Sequence, residues 1–587
     1  MRPPRREPVG RAEPRRGRPR RPAPDHSRDH DRPRAAAPLL AVTSETHHPD
    51  ATILLCSGPL TSHELPIGLN HANGMAPING KPVIGWILDE LLFKDIRTVT
   101  LVLREQNTPL KRFVRRFYSD RMKVTLVPLK EEGSIVESLV AGLEQTPTPG
   151  EVRVLLGDTL IRDPFDGQRD YVYVGKVEDS RRWCVARRGP LGEIQELVDK
   201  QELRDPPFDA LAGYYHFRHG SDLRTAAEVS AAAGERQISD VLRRYMRKHP
   251  IHAEEARAWF DLGHVDTIVT ARRRLLQPRH FNALTINPVL NTITKTSQHS
   301  AKLAQELAWF ELLPEDLKVL TPRRIVTRDA DGNMQISQEF YGYPTLAELY
   351  TYGDLPVDVW RSVLRHVLRI HQEFRRYPGH LEPAHIASMY ANKTWERLDA
   401  LRKQDERWAD LLARETIVYN GRELRNVYGL AREINARAAQ LVESAPVSVI
   451  HGDFCFSNIL FDLNNQIVRL IDPRGSFGKP GVYGDARYDV AKLRHSVSGL
   501  YDFVMADLFE ISGDADGGFR ADHYADARTA AIAEEFDRMV ASIGYDVSDI
   551  RFIEALLFTS MVPYHQGHFP RQQVLYLTGL SLLNDVL

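Results

Sequence analysis

Long apolar runs are missing from the 587 residues: no stretch approaches the roughly 18 to 20 residues that crossing a bilayer requires. Cysteine is scarce. Cys56, Cys184 and Cys455 are odd in number and far apart, which excludes a disulfide scaffold and a Cys-rich zinc site and fits a reducing cytoplasm. Charge of one sign is also lacking. A formal net charge of -1 gives no reason to expect nucleic acid or an anionic membrane as the main partner. The first 49 residues lack large side chains that could form a core and are rich in arginine and proline, so they predict a disordered tail. A misassigned start codon would produce the same stretch, as would a basic tail that touches nucleic acid or membrane. An export signal is not expected, because Ala35-Ala36-Ala37-Pro38-Leu39-Leu40 is short and broken by proline.

What is present centres on His451 to Asp472, HGDFCFSNILFDLNNQIVRLID. Asn458 follows Asp453 by five residues, and Asp472 closes the strand-like run Ile467-Val468-Arg469-Leu470-Ile471. Val447-Ser448-Val449-Ile450 reads as a strand leading into the motif. Phosphoryl transfer needs the nucleophile positioned and the phosphate charge neutralised. A carboxylate and an amide must therefore converge on Mg²⁺, while another carboxylate faces the acceptor. Asp453 fits the last role, as base or orienter of an alcohol, and Asn458 with Asp472 fits the metal role beside ATP.

The length suggests several domains. From residue 51, short apolar runs alternate with helical segments. Thr52 to Leu55, Val99 to Leu103, Val124 to Val127 and Val152 to Leu156 predict buried parallel strands, with helices over Pro82 to Phe93 and Ser134 to Leu143. Such alternation implies a three-layer α/β domain with its site at the carboxyl ends of the strands. Asp158, after Gly157, lies at such an end, and Asp261 stands in Trp259-Phe260-Asp261-Leu262-Gly263. Two hard carboxylates suit Mg²⁺ on phosphate oxygens.

Over roughly residues 51 to 270 the chain resembles the sugar-1-phosphate nucleotidyltransferase family. The matching pieces are Asn79-Gly80-Lys81-Pro82, Gly133-Ser134, Gly157-Asp158, Asp199-Lys200, Ala212-Gly213-Tyr214-Tyr215 and Trp259 to Gly263. The resemblance implies that Asp158 and Asp261 hold the Mg²⁺ bridging nucleotide and sugar phosphate, with CTP or another nucleoside triphosphate as substrate. Cys56-Ser57-Gly58-Pro59-Leu60 departs from the family's glycine-rich loop and its Thr-Arg pair, and the lysine position falls near Asn73. A loop with fewer amide donors and no fixed cations stabilises a departing pyrophosphate poorly. Arg272-Arg273-Arg274 reads as the solvated end of a helix.

After Pro278, Asn291 to Ser297 has strand alternation that presents Lys295, and Ala301 to Leu313 reads as a helix carrying Glu306. With Gln338-Glu339-Phe340-Tyr341-Gly342-Tyr343-Pro344-Thr345-Leu346, these pieces resemble the small lobe and hinge of aminoglycoside phosphotransferase and choline kinase-like enzymes, from about residue 280 onward. The resemblance puts Lys295 on the α- and β-phosphates with Glu306 as its ion-pair partner. Glu311 is the alternative, because Lys302 can pair with Glu306 locally. His366 and His371 read as helix-face residues, since no carboxylate or cysteine completes a metal set. Gly484 to Leu493 resembles the family segment after the metal aspartate, with Asp489 supporting the catalytic loop. Tyr501, Tyr524, Tyr564 and His565 are expected on C-terminal helices as a lid over the acceptor.

The expected architecture is an α/β nucleotidyltransferase-like (Rossmann-like, three-layer) domain at 50–275 behind the disordered tail at 1–49. A two-lobed α+β protein-kinase-like domain follows at 276–587, with a small lobe at about 276–350 and a helical large lobe at about 351–587. The expected function is bifunctional: ATP-dependent phosphorylation of a sugar, polyol or amino alcohol, then nucleotidyl activation of the product, for surface polysaccharide. Two alternatives stand beside it: a kinase with a non-catalytic nucleotide-sugar-binding module, or an antibiotic-modifying phosphotransferase. Expected partners are the alcohol acceptor and nucleoside triphosphates. Oligomeric state leaves no trace in the sequence.

Overall fold

The computed structural model describes residues 51–57, 72–130, 133–146, 150–165, 167–276, 282–287, 289–297, 300–328, 334–513 and 517–587. The tail at 1–49 and Gly58, Pro59 and Leu60 of the loop after the first strand lie outside them. The described residues belong to one compact unit.

The first half alternates as its apolar pattern dictates. Strand β1 (Ala51–Cys56) is followed by α1 (Val83–Phe93), β2 (Thr98–Arg104), α2 (Thr108–Tyr118), β3 (Lys123–Leu129), α3 (Ile135–Glu144) and β4 (Val152–Leu156). All six residues of β1 are buried, which is why the strand is apolar on both faces. It pairs in parallel with β2 and with β4, and β2 pairs in parallel with β3. Helix α3 starts where Ser134 and Glu137 form a capping box. The chain moves outward from β1 to β3 and then returns to add β4 on the other side of β1. That reversal opens a crevice at the carboxyl ends of β1 and β4.

Two short strands, β5 (Thr159–Ile161) and β7 (Trp259–Asp261), pair across this end, and the ten-residue β6 (Phe208–Phe217) lies antiparallel to β4. The sheet is therefore mixed, with nine strands. Helix α4 (Val265–Arg274) leads out of it.

In the second half, β8 (Thr292–Ser297) is an inner strand of a four-stranded antiparallel sheet, flanked by Asn282–Asn287 and Met334–Glu339, with Arg324–Arg328 at the edge. Helix α5 (Ser300–Leu312) packs after it. Then come α6 (Leu346–Tyr352), capped by Thr345 and Glu348, and the long α7 (Val357–Arg375). Within His451 to Asp472, Ile459–Asp462 pairs as a hairpin with β9 (Ile467–Leu470), and α8 (Ala486–Val497) backs the stretch. The large lobe is not wholly helical. Thr416–Tyr419 and Arg422–Arg425 join Phe509–Gly513 and Phe519–His523 in a four-stranded sheet. Those strands pair across about a hundred residues of chain, a non-local event that local helix periodicity does not signal.

The two halves meet at α6. Glu348 accepts the Gly80 backbone N–H at 2.8 Å and forms an ion pair with Arg272 of α4 at 3.2 Å. Arg272 also donates to the Pro77 carbonyl, and Asn79 Nδ2 donates to the Arg272 carbonyl at 2.8 Å. Arg272 is only 3% exposed, so the reading of the triple arginine as a solvated helix end is wrong for this residue. The cause is tertiary: a buried carboxylate 76 residues later in the chain supplies the partner. Close by, a Cβ at Gly342 would come within 2.5 Å of Val269, so the segment before α6 lies flat on α4.

Candidate active sites

The second half assembles its site from the catalytic loop, the end of β9 and the small-lobe sheet. Asp489 of α8 accepts the backbone N–H groups of His451 and Gly452 at 2.7 and 2.8 Å and so fixes the loop from below. Burial pushes the Asp489 carboxyl up to about 7, opposed by those two donors. His451 is buried, and burial brings its imidazole down to about 4, so it serves as a neutral packing group. Asn458 Nδ2 donates to the Asp453 backbone carbonyl and to its Oδ2, both at 2.9 Å. This fixes the amide so that its oxygen faces away from Asp453.

Asp453 has a partner that sequence reasoning missed. Lys492 Nζ lies 2.8 Å from Asp453 Oδ1. Burial alone would raise the pKa of Asp453, but Lys492, with Arg474 beyond it, holds the carboxyl well below the usual carboxylate range. Lys492 was legible in principle, because it stands three residues after Asp489 on a helix and must share its loop-facing side.

Lys295 on β8 donates to Glu306 Oε2 at 2.8 Å and to Asp472 Oδ1 at 3.0 Å. The pairing with Glu306 of α5 is the one the sequence favoured over Glu311. Burial works against the Lys295 ammonium, yet Asp472 and Glu306 hold its pKa above the ordinary value. Glu306 itself is raised by burial and by Asp472. Asp472 sits at φ 54°, a left-handed conformation that aspartate tolerates and that turns its carboxylate off the end of β9 toward Lys295. At Gly475 the backbone is also left-handed, and a Cβ would meet the Gln305 carbonyl at 2.3 Å. The loop after Asp472 thus lies against α5, next to Glu306. The structure brings Asp453, Asn458, Asp472, Lys295 and Glu306 to one place, with Asn458 and Asp472 offering hard oxygen donors of the type Mg²⁺ prefers.

In the first half, β5 and β7 bring Asp158 and Asp261 together. Thr159 pairs with Asp261, and Leu262 N–H donates to the Asp158 carbonyl at 2.8 Å. Burial and the charge of Asp261 raise Asp158 to about 6. Two carboxylates that repel each other in a crevice are the charge pattern a divalent cation relieves. Asp261 also accepts from Gly263 N–H at 3.1 Å, from His264 Nδ1 at 2.7 Å and from Thr267 Oγ1 at 2.8 Å. The bond to Asp261 raises the pKa of His264.

Tyr524 follows the strand Phe519–His523 and lines a cavity of about 270 Å³ between the halves, with Met75, Arg112, Phe113 and Tyr352. It therefore stands after a strand of the non-local sheet and not on a C-terminal helix. Tyr501 stacks on His495 at 4.4 Å. His371 is buried and bonded to the Tyr545 hydroxyl at 2.7 Å, consistent with a packing role. No helix among the described residues is long and apolar enough to cross a membrane.

Residues 288–523 match the phosphotransferase enzyme family, and residues 65–278 match the nucleotidyl transferase family. No curated protein matches the chain. Among solved structures, a protein described as a glucose-1-phosphate thymidylyltransferase from Bacillus anthracis is 17% identical over 39% of this chain and 97% of its own, with a TM-score of 0.34. A CTP:phosphocholine cytidylyltransferase from Streptococcus pneumoniae is 14% identical over 38% and 99%, with a TM-score of 0.33. A UDP-glucose pyrophosphorylase from Acinetobacter baumanii is 14% identical over 38% and 92%, with a TM-score of 0.32.

Proposed function

The chain joins a nucleotidyl transferase-family segment to a phosphotransferase-family segment, and from that premise we propose an enzyme that phosphorylates a small alcohol and then couples the product to a nucleotide. The boundary between the two activities falls near residue 276. The observation that carries the kinase half is the convergence of Lys295, Glu306 and Asp472 beside the Asp453–Asn458 pair. Asn458 and Asp472 would hold Mg²⁺, which would supply charge neutralisation for the phosphates. Lys295 holds the α- and β-phosphates, and Glu306 holds Lys295. Asp453 accepts the acceptor's O–H and aims its oxygen at the γ-phosphorus. The new bond is O–Pγ, the β–γ bridging O–P bond breaks, and ADP leaves. A carboxylate so acidic is a weak base, so Asp453 acts chiefly as an orienter that takes the proton late, which suits a loose transition state.

Asp158 and Asp261 would hold Mg²⁺ for the second reaction, the attack of a phosphorylated product on the α-phosphorus of CTP or another nucleoside triphosphate with loss of pyrophosphate. Nucleotide-activated sugars or polyols for surface polysaccharide are the end products this order of steps suggests. A second reading has an observation in its favour. Both Asp261 oxygens are already hydrogen-bonded, Oδ2 by His264, which supports a first half that binds a nucleotide-sugar without catalysing transfer.

Incubating the protein with ATP and a panel of sugars, polyols and amino alcohols that includes carboxylated and phosphorylated members, followed by phosphorus NMR, is expected to reveal a new phosphate ester. Adding CTP, UTP, GTP or dTTP should then release pyrophosphate with one of them; no release with any phosphorylated acceptor would leave only the binding reading. Asp472→Ala should abolish Mg²⁺-dependent ATP binding in a titration calorimeter, and unchanged Mg·ATP affinity would remove Asp472 from the metal site.

A further inference from the structure

Beside Asp453 the large lobe gathers three basic side chains that form no ion pair with a carboxylate among the described residues, although Arg474 feels the charge of Asp453. Lys393 and Arg397 lie one turn apart on the helix Lys393–Gln404, which follows the widened turn Ser388–Asn392 where Tyr390 leaves helical backbone angles. Arg474 comes from the loop after Asp472. The Tyr488 hydroxyl of α8 links them: it lies 3.5 Å from Lys393 Nζ and accepts from Arg474 Nη1 at 3.3 Å. Arg397 donates to the Ser560 carbonyl at 3.0 Å and to the Tyr564 hydroxyl, with its guanidinium over the Tyr564 ring. Every partner named for Lys393, Arg397 and Arg474 is a neutral oxygen or an aromatic face. Among the described residues none of the three has a carboxylate partner. Lys492 has one, and it is Asp453 itself.

The cluster borders the point of phosphoryl transfer. Arg474 N–H donates to the His451 carbonyl at 3.0 Å, and the Arg474 side chain packs over Gly452, where an added Cβ would meet it at 2.8 Å. The Asp453 side chain is 37% exposed and open to an acceptor. Lys295, which serves the nucleotide, stands instead on the small-lobe sheet, while Lys393 and Arg397 bond only within the large lobe. Burial, together with Arg474, Arg397 and Lys492, drives the Lys393 ammonium well below its ordinary pKa. A bound anion would relieve that repulsion, whereas a bound cation would add to it.

We propose that Lys393, Arg397 and Arg474 bind an anionic group of the acceptor, so that the alcohol phosphorylated at Asp453 carries a carboxylate or a phosphate and is not a cationic amino alcohol. This rests on the kinase reading above. The anion is a spectator: only the acceptor hydroxyl and the γ-phosphoryl change bonds.

The test uses the full chain with saturating Mg²⁺ and a non-hydrolysable ATP analogue, which keeps the nucleotide site filled. Thermal unfolding is followed with glycerate, glycerol 3-phosphate, inorganic phosphate, glycerol or choline added. The anions are expected to raise the midpoint and glycerol and choline to leave it unmoved; the stronger of glycerate and glycerol 3-phosphate tells carboxylate from phosphate. In Lys393→Met and in Arg397→Gln, a pair chosen so that one misfolding variant does not decide the matter, the anion response should weaken by about tenfold in apparent affinity while the nucleotide's own affinity stays put. A choline response equal to that of the anions, an anion response that survives both substitutions, or a loss of nucleotide affinity in both variants would overturn the assignment. Failure of the wild type to bind Mg·ATP at all would instead count against the kinase reading.

Discussion

Asp453→Asn is expected to slow phosphotransfer by about 10²- to 10⁴-fold while Mg·ATP affinity stays within a factor of a few. Asparagine keeps the shape and can still accept from Asn458, but it cannot take the acceptor's proton, and it leaves Lys492 without its partner at 2.8 Å. Wild-type turnover in Asp453→Asn with the true acceptor would exclude the assignment. The same geometry fixes the pH behaviour. Because Lys492 helps hold Asp453 well below the usual carboxylate range, the wild-type profile should have no acidic limb from this group near pH 4, where an ordinary aspartate of pKa about 3.9 would be half protonated. Lys492→Met removes the nearest counter-charge and leaves burial dominant, so Asp453 should protonate at higher pH and an acidic limb should enter the kcat/KM profile. A profile unchanged in shape would mean that Lys492 only packs there.

Glu348→Ala should have the largest effect on stability, about 3–5 kcal/mol, by the usual consequence of breaking a buried ion pair from one side. The pair is almost wholly out of water, with the Arg272 and Glu348 side chains 4% and 6% exposed. Removing the carboxylate leaves a guanidinium buried without its counter-charge. It also orphans the Gly80 and Thr345 backbone N–H groups, both of which donate to Glu348 at 2.8 Å. Arg272→Ala spares those two bonds and should cost less. Burial alone would raise the pKa of Glu348, but Arg272 and the two N–H groups lower it below the ordinary value. A carboxyl depressed by folding stabilises above its unfolded pKa of about 4.3 and loses that contribution as pH falls through the folded value. Acidification below about pH 4 should therefore narrow the gap between wild type and Glu348→Ala in chemical denaturation. Equal midpoints at neutral pH would refute the role given to the pair.

The parts that were legible in the sequence are those whose information is local. Three of the four parallel strands are continuous apolar runs because both faces are covered, while the edge strand β3, expected to be buried, is mostly half-exposed; Asp453, Asn458 and Asp472 lie within one loop and one hairpin. Lys295 and Glu306 needed only the strand and helix that follow each other. Arg272 could not be read correctly, because its partner is 76 residues away and nothing in three consecutive arginines says which one turns inward. The cations near Asp453 were hidden for a related reason: Lys393, Arg474 and Lys492 come from three separate segments that meet only at Tyr488 and Asp453. Tyr524 was misplaced because its strand pairs with partners about a hundred residues away. The strand Phe208–Phe217, apolar at most positions and interrupted by Gly213, shows no alternation that would mark its length.

The contact of Val269 with Gly342 and the bonds of Glu348 to Gly80 and Arg272 bear on how the chain can be divided. The stretch near residue 276 invites a cut that would give two separately expressed fragments. The downstream fragment would then begin with the support of α6 stripped away, a buried carboxylate facing solvent and an apolar strip uncovered. The upstream fragment would carry an unmatched guanidinium on α4. Each piece is expected to be less soluble and less heat-resistant than its share of the intact protein, so an inactive fragment would say little about the activity of that half in the whole chain.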